Sequence, residues 1–193
     1  MPHLFGERIR LRAAEKEDIK LFLTWINDPE VTEHLMLAYP MAQFEEERWY
    51  ENMMSLPAAE HVMVIEIQAE DVPGGHRPIG TCQYHNLDWR CRNAEVGIMI
   101  GEKAFWNQGY GTETMKLLLR HGFETLNLHR IWLRVYAKNK RGIRAYEKAG
   151  FAYEGMFREA HYQNGQYCNV HFMSVLRPEW TLNQKILKNQ GSD

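Results

Sequence analysis

The stretch Phe105-Trp106-Asn107-Gln108-Gly109-Tyr110-Gly111-Thr112-Glu113 constrains this chain most. Before it stands an apolar run, Val96 to Ile100, which reads as a strand. After it, Met115, Leu118, Leu119, Gly122, Phe123 and Leu126 recur at helical spacing. The order is therefore strand, glycine-bearing loop, helix. Gly109 and Gly111 let the backbone turn tightly and approach a ligand, because they lack Cβ. The unpaired N–H groups of the first helical turn face the loop, and the helix dipole favours an anion there. Chemically this is a phosphate or pyrophosphate site; the plainer alternative is a helix entry with incidental glycines. A nucleoside-triphosphate loop needs Gly-Lys-Ser/Thr, and Gly111 is followed by Thr112-Glu113. A dinucleotide fingerprint needs a third glycine where Thr114 stands. Kinase and nucleotide-dependent reductase chemistry are disfavoured on these grounds.

The rest of the chain reads as alternating strands and helices. Glu7 to Arg12 alternates charged and apolar, a half-buried strand with Ile9 and Leu11 inward. Ile19, Phe22, Leu23 and Ile26 share a helical face, and Asn27-Asp28-Pro29 stops that helix. A second helix is expected over Gln43–Met54, with Glu45, Glu46, Glu47 and Glu51 among Phe44, Trp49, Tyr50, Met53 and Met54. It reads either as one wall of a pocket for a cationic substrate or as a surface helix with a solvated acidic face; composition favours the latter. Val62–Ile67, Ile79–Leu87 and Ala94–Ile100 form an antiparallel meander. Arg130–Tyr136 alternates, with Ile131, Leu133 and Val135 on one side. Asn139 and Gly150 cap a short helix, and Asn164-Gly165 joins two final strands, Phe151–Gln163 and Gln166–Leu176. Pro178 ends the last strand, and residues 181–193 form a polar, frayed tail. A helix between two strands in mid-chain implies a parallel pair in a mostly antiparallel sheet.

Length bounds this picture: 193 residues suit one domain, 1–193. A net charge of −2 gives no field for nucleic acid. Cys82, Cys91 and Cys168 have neither disulfide-framework nor zinc spacing, which fits a reducing cytoplasm. The N-terminus reads as no signal peptide, no run has membrane-spanning length, and the nine histidines show no ligand spacing, so no metal is expected.

The glycine loop resembles the acyl-CoA loop of the GNAT superfamily of N-acetyltransferases, in the variant of the ribosomal-protein-alanine branch, where a Trp stands at the position of Trp106. Three more blocks match in the family's order: Trp25 to Val31 and Arg158 to Trp180 resemble that branch, and Asn139 to Phe151 resembles the wider family. The resemblance implies an α+β fold, a mixed, mostly antiparallel central sheet flanked by helices on both faces. It implies acetyl-CoA as cosubstrate, direct attack by a primary amine in a ternary complex, and a possible homodimer. Candidate acceptors are a protein N-terminus, a polyamine, an amino sugar or an aminoglycoside. A catalytically silent acyl-CoA-binding module on the same fold is the alternative. By resemblance, Tyr146 protonates the departing thiolate and Trp106, Asn107, Gln108, Gly109, Tyr110, Gly111 and Thr112 hold the pyrophosphate. A family bulge matching Gly97-Ile98-Met99 makes Ile98, Met99 and Ile100 candidates for the pantetheine arm. Asn139 is a candidate cofactor ligand, and Arg144 stands in a basic cluster with Lys138, Lys140 and Arg141 that can meet the 3′-phosphate. Glu95, just before the bulge, is the candidate general base through a water, with Glu33, His34 and Glu45 less specific. Three positions depart from the family: Asn107 replaces a glycine, Arg134 stands where a Glu is frequent and cannot itself act as base, and Asn169 stands where an Asp is common.

Overall fold

The computed structural model describes residues 3–35 and 39–190, with 187–190 as backbone alone. Residues 36–38 and the end of the polar tail therefore lie outside the described residues. Eight strands form one sheet, in the order β1-β2-β3-β4-β5-β6-β8-β7. They are β1 (Leu4–Phe5), β2 (Ile9–Ala13), β3 (Met63–Gln68), β4 (His76–Asp88), β5 (Asn93–Ile100), β6 (Arg130–Tyr136), β7 (Ala152–Gln163) and β8 (Gln166–Leu176). The helices are α1 (Ile19–Ile26), α2 (Pro29–Thr32), α3 (Gln43–Met54), α4 (Tyr110–Glu124), α5 (Lys140–Ala149) and α6 (Arg177–Gln190).

Alternation along the strands builds a core on each face of the sheet. On one face Ile65, Ile131 and Leu133 pack against Met115, Leu118 and Phe123 of α4. On the other, Val62 and Val64 pack with Phe22 and Trp25 of α1 and Met53 of α3. The expected helix over Gln43–Met54 has the same bounds in the structure. Asn164 and Gly165 both take positive φ, 51° and 80°, the geometry a two-residue hairpin demands. Asp28 accepts the Glu30 N–H at 2.9 Å, so the sequence that stops α1 also starts α2, with Pro29 in the first turn.

One pairing sets the function. β5 and β6 are parallel, but only through Asn93–Glu95 against Arg130–Trp132. Beyond that point they part, and the β5 edge facing β6 carries no ladder partner among the described residues. The resulting notch opens at Gly97 to Ile100.

Two expectations are corrected. The β5 bulge at 97–99 is absent: β5 pairs regularly with β4 from Glu95 to Ile100, and the irregularity falls between His85 and Asp88 of β4. Asn86 there has a φ of 51° and supplies the extra residue. The notch thus comes from strand divergence. The polar tail is helical as far as Gln190, because Pro178 sits in the first turn of α6, where its missing N–H costs no bond. Glu179 accepts the Leu176 N–H at 2.9 Å, and Trp180 packs tilted against Phe123 with centroids 5.5 Å apart.

Candidate active site

Two cavities flank the β5–β6 notch. The first, of about 360 Å³, lies between the glycine loop and α5. Gly109 has a φ of 87° and is the N-cap of α4. Asn107 takes a φ of 60°, a left-handed conformation that asparagine tolerates better than most residues, which is how the chain dispenses with the family glycine. Tyr110, Gly111 and Thr112 open α4, so their N–H groups have no intrahelical acceptor and face the cavity. Trp106 donates from Nε1 to the Ile100 carbonyl at 2.7 Å, tying the loop to β5. Arg141 lies over the Trp106 ring, 3.9 Å from its centroid. Burial lowers the Arg141 pKa from its ordinary value, with Glu33 opposing it, and a phosphate would supply the ion-pair partner this guanidinium lacks among the described residues.

An acidic residue in this helix turn, Glu113, would oppose an anion, and the structure neutralises it. Arg8 donates from Nε to Glu113 Oε2 at 2.9 Å and from NH1 to the Gln108 carbonyl at 3.1 Å. The same guanidinium covers the Tyr110 ring at 4.6 Å. Arg8 thus braces the loop from a position 105 residues earlier.

The second cavity, of about 480 Å³, lies between the other face of the sheet and α1 and α3. Glu95 and Arg134 stand on its floor, with His85 beside them. Arg134 donates to Glu95 from Nε at 2.7 Å and NH2 at 3.1 Å, and Asn86 adds a donor at 3.0 Å. The unexpected arginine is therefore the partner of the candidate base. A carboxylate has about four acceptor positions, so roughly one remains for a water. Gly97 makes room for the imidazole of His85, since a Cβ there would come within 2.9 Å of its Nε2. Burial lowers the pKa of His85 and of His34, so both rings are kept neutral. Burial also pushes the Tyr136 hydroxyl up to about 12, and that oxygen has no hydrogen-bond partner among the described residues.

Tyr146, Asn139, Ile98 and Met99 line both cavities. Asn139 caps α5 by accepting the Gly142 N–H at 2.8 Å, so its cap role holds while its amide faces the notch. Desolvation pushes the Tyr146 phenol up to about 12, with Arg141 pulling slightly the other way. It is therefore protonated at neutral pH and able to donate.

Of the expected cofactor residues, all but Gln108 line the first cavity. Gln108 turns its amide to the Ala104 carbonyl at 2.6 Å. Arg144 lines it too, together with Arg141 and Lys148. Glu95 belongs to the second cavity alone. The less specific Glu33 and Glu45 line neither, whereas His34 lines both. Three contributions escape a linear reading: Arg8, the Glu95–Arg134 pair, and Glu46, which is buried on the second cavity's wall. Glu46 could have been found, since it precedes Tyr50 and Met53 at helical spacing.

Residues 8–152 match the family described as Acetyltransferase (GNAT) domain, and the chain belongs to that family. An uncharacterized N-acetyltransferase, p20, of Bacillus licheniformis is 29% identical over 93% of this chain and 99% of its own. The spermidine N(1)-acetyltransferase of Vibrio cholerae is 26% identical over 91% of this chain and 96% of its own. The crystal structure of a spermidine N-acetyltransferase from that organism, in complex with CoA and spermine, superposes with a TM-score of 0.81 at 26% identity, covering 91% of this chain and 99% of its own. The first cavity fits acetyl-CoA by its free helix-terminal N–H groups and its flanking cations. The protein is an acetyl-CoA-dependent N-acetyltransferase. Among the described residues no group of three or more His, Cys, Asp or Glu is placed to hold a metal, and no helix is long and apolar enough to cross a membrane.

Proposed function

We propose that the acceptor is an aliphatic polyamine, acetylated on a primary nitrogen by direct attack in a ternary complex. The observation that carries this reading is the meeting of two cavities at Tyr146, one with phosphate-binding chemistry and one with carboxylates and an apolar wall. Relatives named as spermidine acetyltransferases align over 91% and 92% of the chain, which supports it. A putative ribosomal N-acetyltransferase of Bacillus subtilis is 34% identical, but over 52% of the chain and 55% of its own. Together with the blocks at 25–31 and 158–180, that similarity favours a second reading, a protein N-terminus as acceptor in the ribosomal-protein-type branch.

Acetyl-CoA supplies the activated thioester. The N–H groups of Tyr110 to Thr112 and the cations of Arg141 and Arg144 hold its phosphates. The free edge of β5 at Ile98 to Ile100 pairs with the pantetheine arm and offers N–H donors to the carbonyl oxygen where negative charge develops. Asn139 orients the arm at the notch. Glu95, fixed by Arg134, orders a water that removes the amine proton. Tyr146 donates to the departing sulfur. The three cysteines are free thiols, and we place the protein in the cytoplasm. On β7, an edge strand, Tyr153, Phe157 and Tyr162 are exposed, and we take that edge as the face of a homodimer.

The test is steady-state acetyl transfer to spermidine, an alanyl peptide and an amino sugar. Spermidine should turn over fastest, and Tyr146→Phe should lower kcat about 100-fold with little change in either KM. Full activity in Tyr146→Phe would remove it from the chemical step. Peptide turnover above spermidine turnover would establish the second reading. Acetyl-CoA binding without turnover on any amine would make the protein a silent acyl-CoA-binding module.

A further inference from the structure

Helix α3 carries the carboxylates of Glu45, Glu46, Glu47 and Glu51, and the structure accounts for three of them. Glu45 accepts the Ala42 N–H at 2.8 Å and closes the helix N-terminus. Glu47 accepts the Gln43 side-chain amide at 2.8 Å. Glu51 is exposed. Glu46 is 4% exposed and lines the second cavity. Its carboxyl has no hydrogen bond or ion pair among the described residues, and burial alone pushes it up to about 7. A carboxyl desolvated in this way, at the wall of a cavity, is short of a cation.

The cavity itself provides none. His34 and His85 are kept neutral by burial. Arg134 is committed to Glu95. Tyr136 and Tyr146 retain their protons. The missing charge must come with the acceptor. The nitrogen that attacks the thioester cannot provide it, because it has to be neutral to act as a nucleophile.

We propose that Glu46 is an acceptor-binding residue that pairs with a second, unreacted ammonium group, so that the site selects aliphatic chains bearing at least two amines. The proposal rests on the amine-acetylation reading of the same cavity. Phe22, Ile26 and Trp49 on the same wall give the methylene chain an apolar lining. Glu46 and Glu95 then divide the work: Glu95 serves the reacting nitrogen and Glu46 anchors the distal one.

The experiment is calorimetric titration of the CoA-saturated protein with hexamethylenediamine and with hexylamine, which differ in one terminal amine. Wild type should bind the diamine about tenfold more tightly, and Glu46→Gln should reduce that preference to about twofold or less. Glu51→Gln, on the exposed side, should keep it. Near pH 7, in buffers of different ionisation enthalpy, wild type should release about half a proton more than Glu46→Gln on binding the diamine. Thermal melting of each variant checks that it is folded. The proposal is overturned if wild type binds the two ligands alike or binds neither. It is also overturned if the preference survives in Glu46→Gln, or if that variant loses kcat equally for both amines at unchanged KM, which would make Glu46 part of the chemical step. Glu46-dependent diamine binding without turnover of any amine would refute the acetylation reading, and with it the acceptor role, and leave Glu46 as a diamine-binding residue.

Discussion

Replacing Glu46 by Gln should stabilise the protein, and only above a particular pH. Glu46 is 4% exposed, and burial raises its carboxyl from the ordinary 4.5 to about 7. The folded state therefore favours the protonated form. Its contribution to stability is fully present below about 4.5, where both states are protonated, and is lost as pH rises through about 7. The whole shift corresponds to about 3 kcal/mol. The side chain looks into an open cavity whose solvent screens part of the penalty, so we expect about 1–2 kcal/mol. Gln has nearly the same shape and does not ionise. Glu46→Gln should thus gain that amount over wild type at pH 8 and nothing at pH 4.5. For a chain of this length the gain is a Tm about 3–6 °C higher at pH 8, closing as pH falls. Melting followed by circular dichroism from pH 4.5 to 8.5 at constant ionic strength, without amine, reads it directly. A difference that is flat across pH, or a variant that melts lower at pH 8, would refute the reasoning. Glu46 would then hold a partner worth more than its desolvation.

Other elements of the site predict separate outcomes. Arg8→Ala removes the brace between Glu113 and the Gln108 carbonyl, so acetyl-CoA should bind about 3–10-fold more weakly with kcat retained; unchanged affinity would show that the loop holds itself. Arg134→Ala leaves Glu95 buried with Asn86 as its remaining donor, and should cost about 2–3 kcal/mol in urea unfolding. Much of that loss should return in the double variant with Glu95→Gln, and an additive double variant would deny the coupling. Gly109→Glu puts a side chain at a φ of 87° and a carboxylate beside the phosphate site. About 1–2 kcal/mol of backbone strain and charge repulsion should together abolish acetyl-CoA binding in calorimetry, and retained binding would move the cofactor elsewhere.

The cofactor half of the site was legible because it is nearly contiguous. One strand, one loop and one helix start supply the phosphate contacts, and their spacing follows from backbone geometry that a linear string records. The short α5, with Asn139 at one end and Gly150 at the other, was legible for the same reason: Asn139 accepts the Gly142 N–H, and Gly150 takes a φ of 108°. The acceptor half is built differently. Its floor joins Glu95 on β5 to Arg134 on β6, 39 residues apart, and its wall comes from α1 and α3. Nothing in the local pattern of either residue announces the other. Read as a line, Arg134 is a lost base; in the fold it is the group that holds the Glu95 carboxylate in place. Glu46 shows the same limit from the other side. Composition made α3 an acidic surface helix, and three of its four carboxylates do face outward or serve the helix itself. The inward one differs only in its phase relative to Tyr50 and Met53, a signal that an average over the helix erases. This division has a functional basis. Pyrophosphate and pantetheine are the same wherever acetyl-CoA is used, so the residues that hold them recur in a recognisable string. The acceptor differs from enzyme to enzyme, and the side chains that choose it come together only when the sheet has formed.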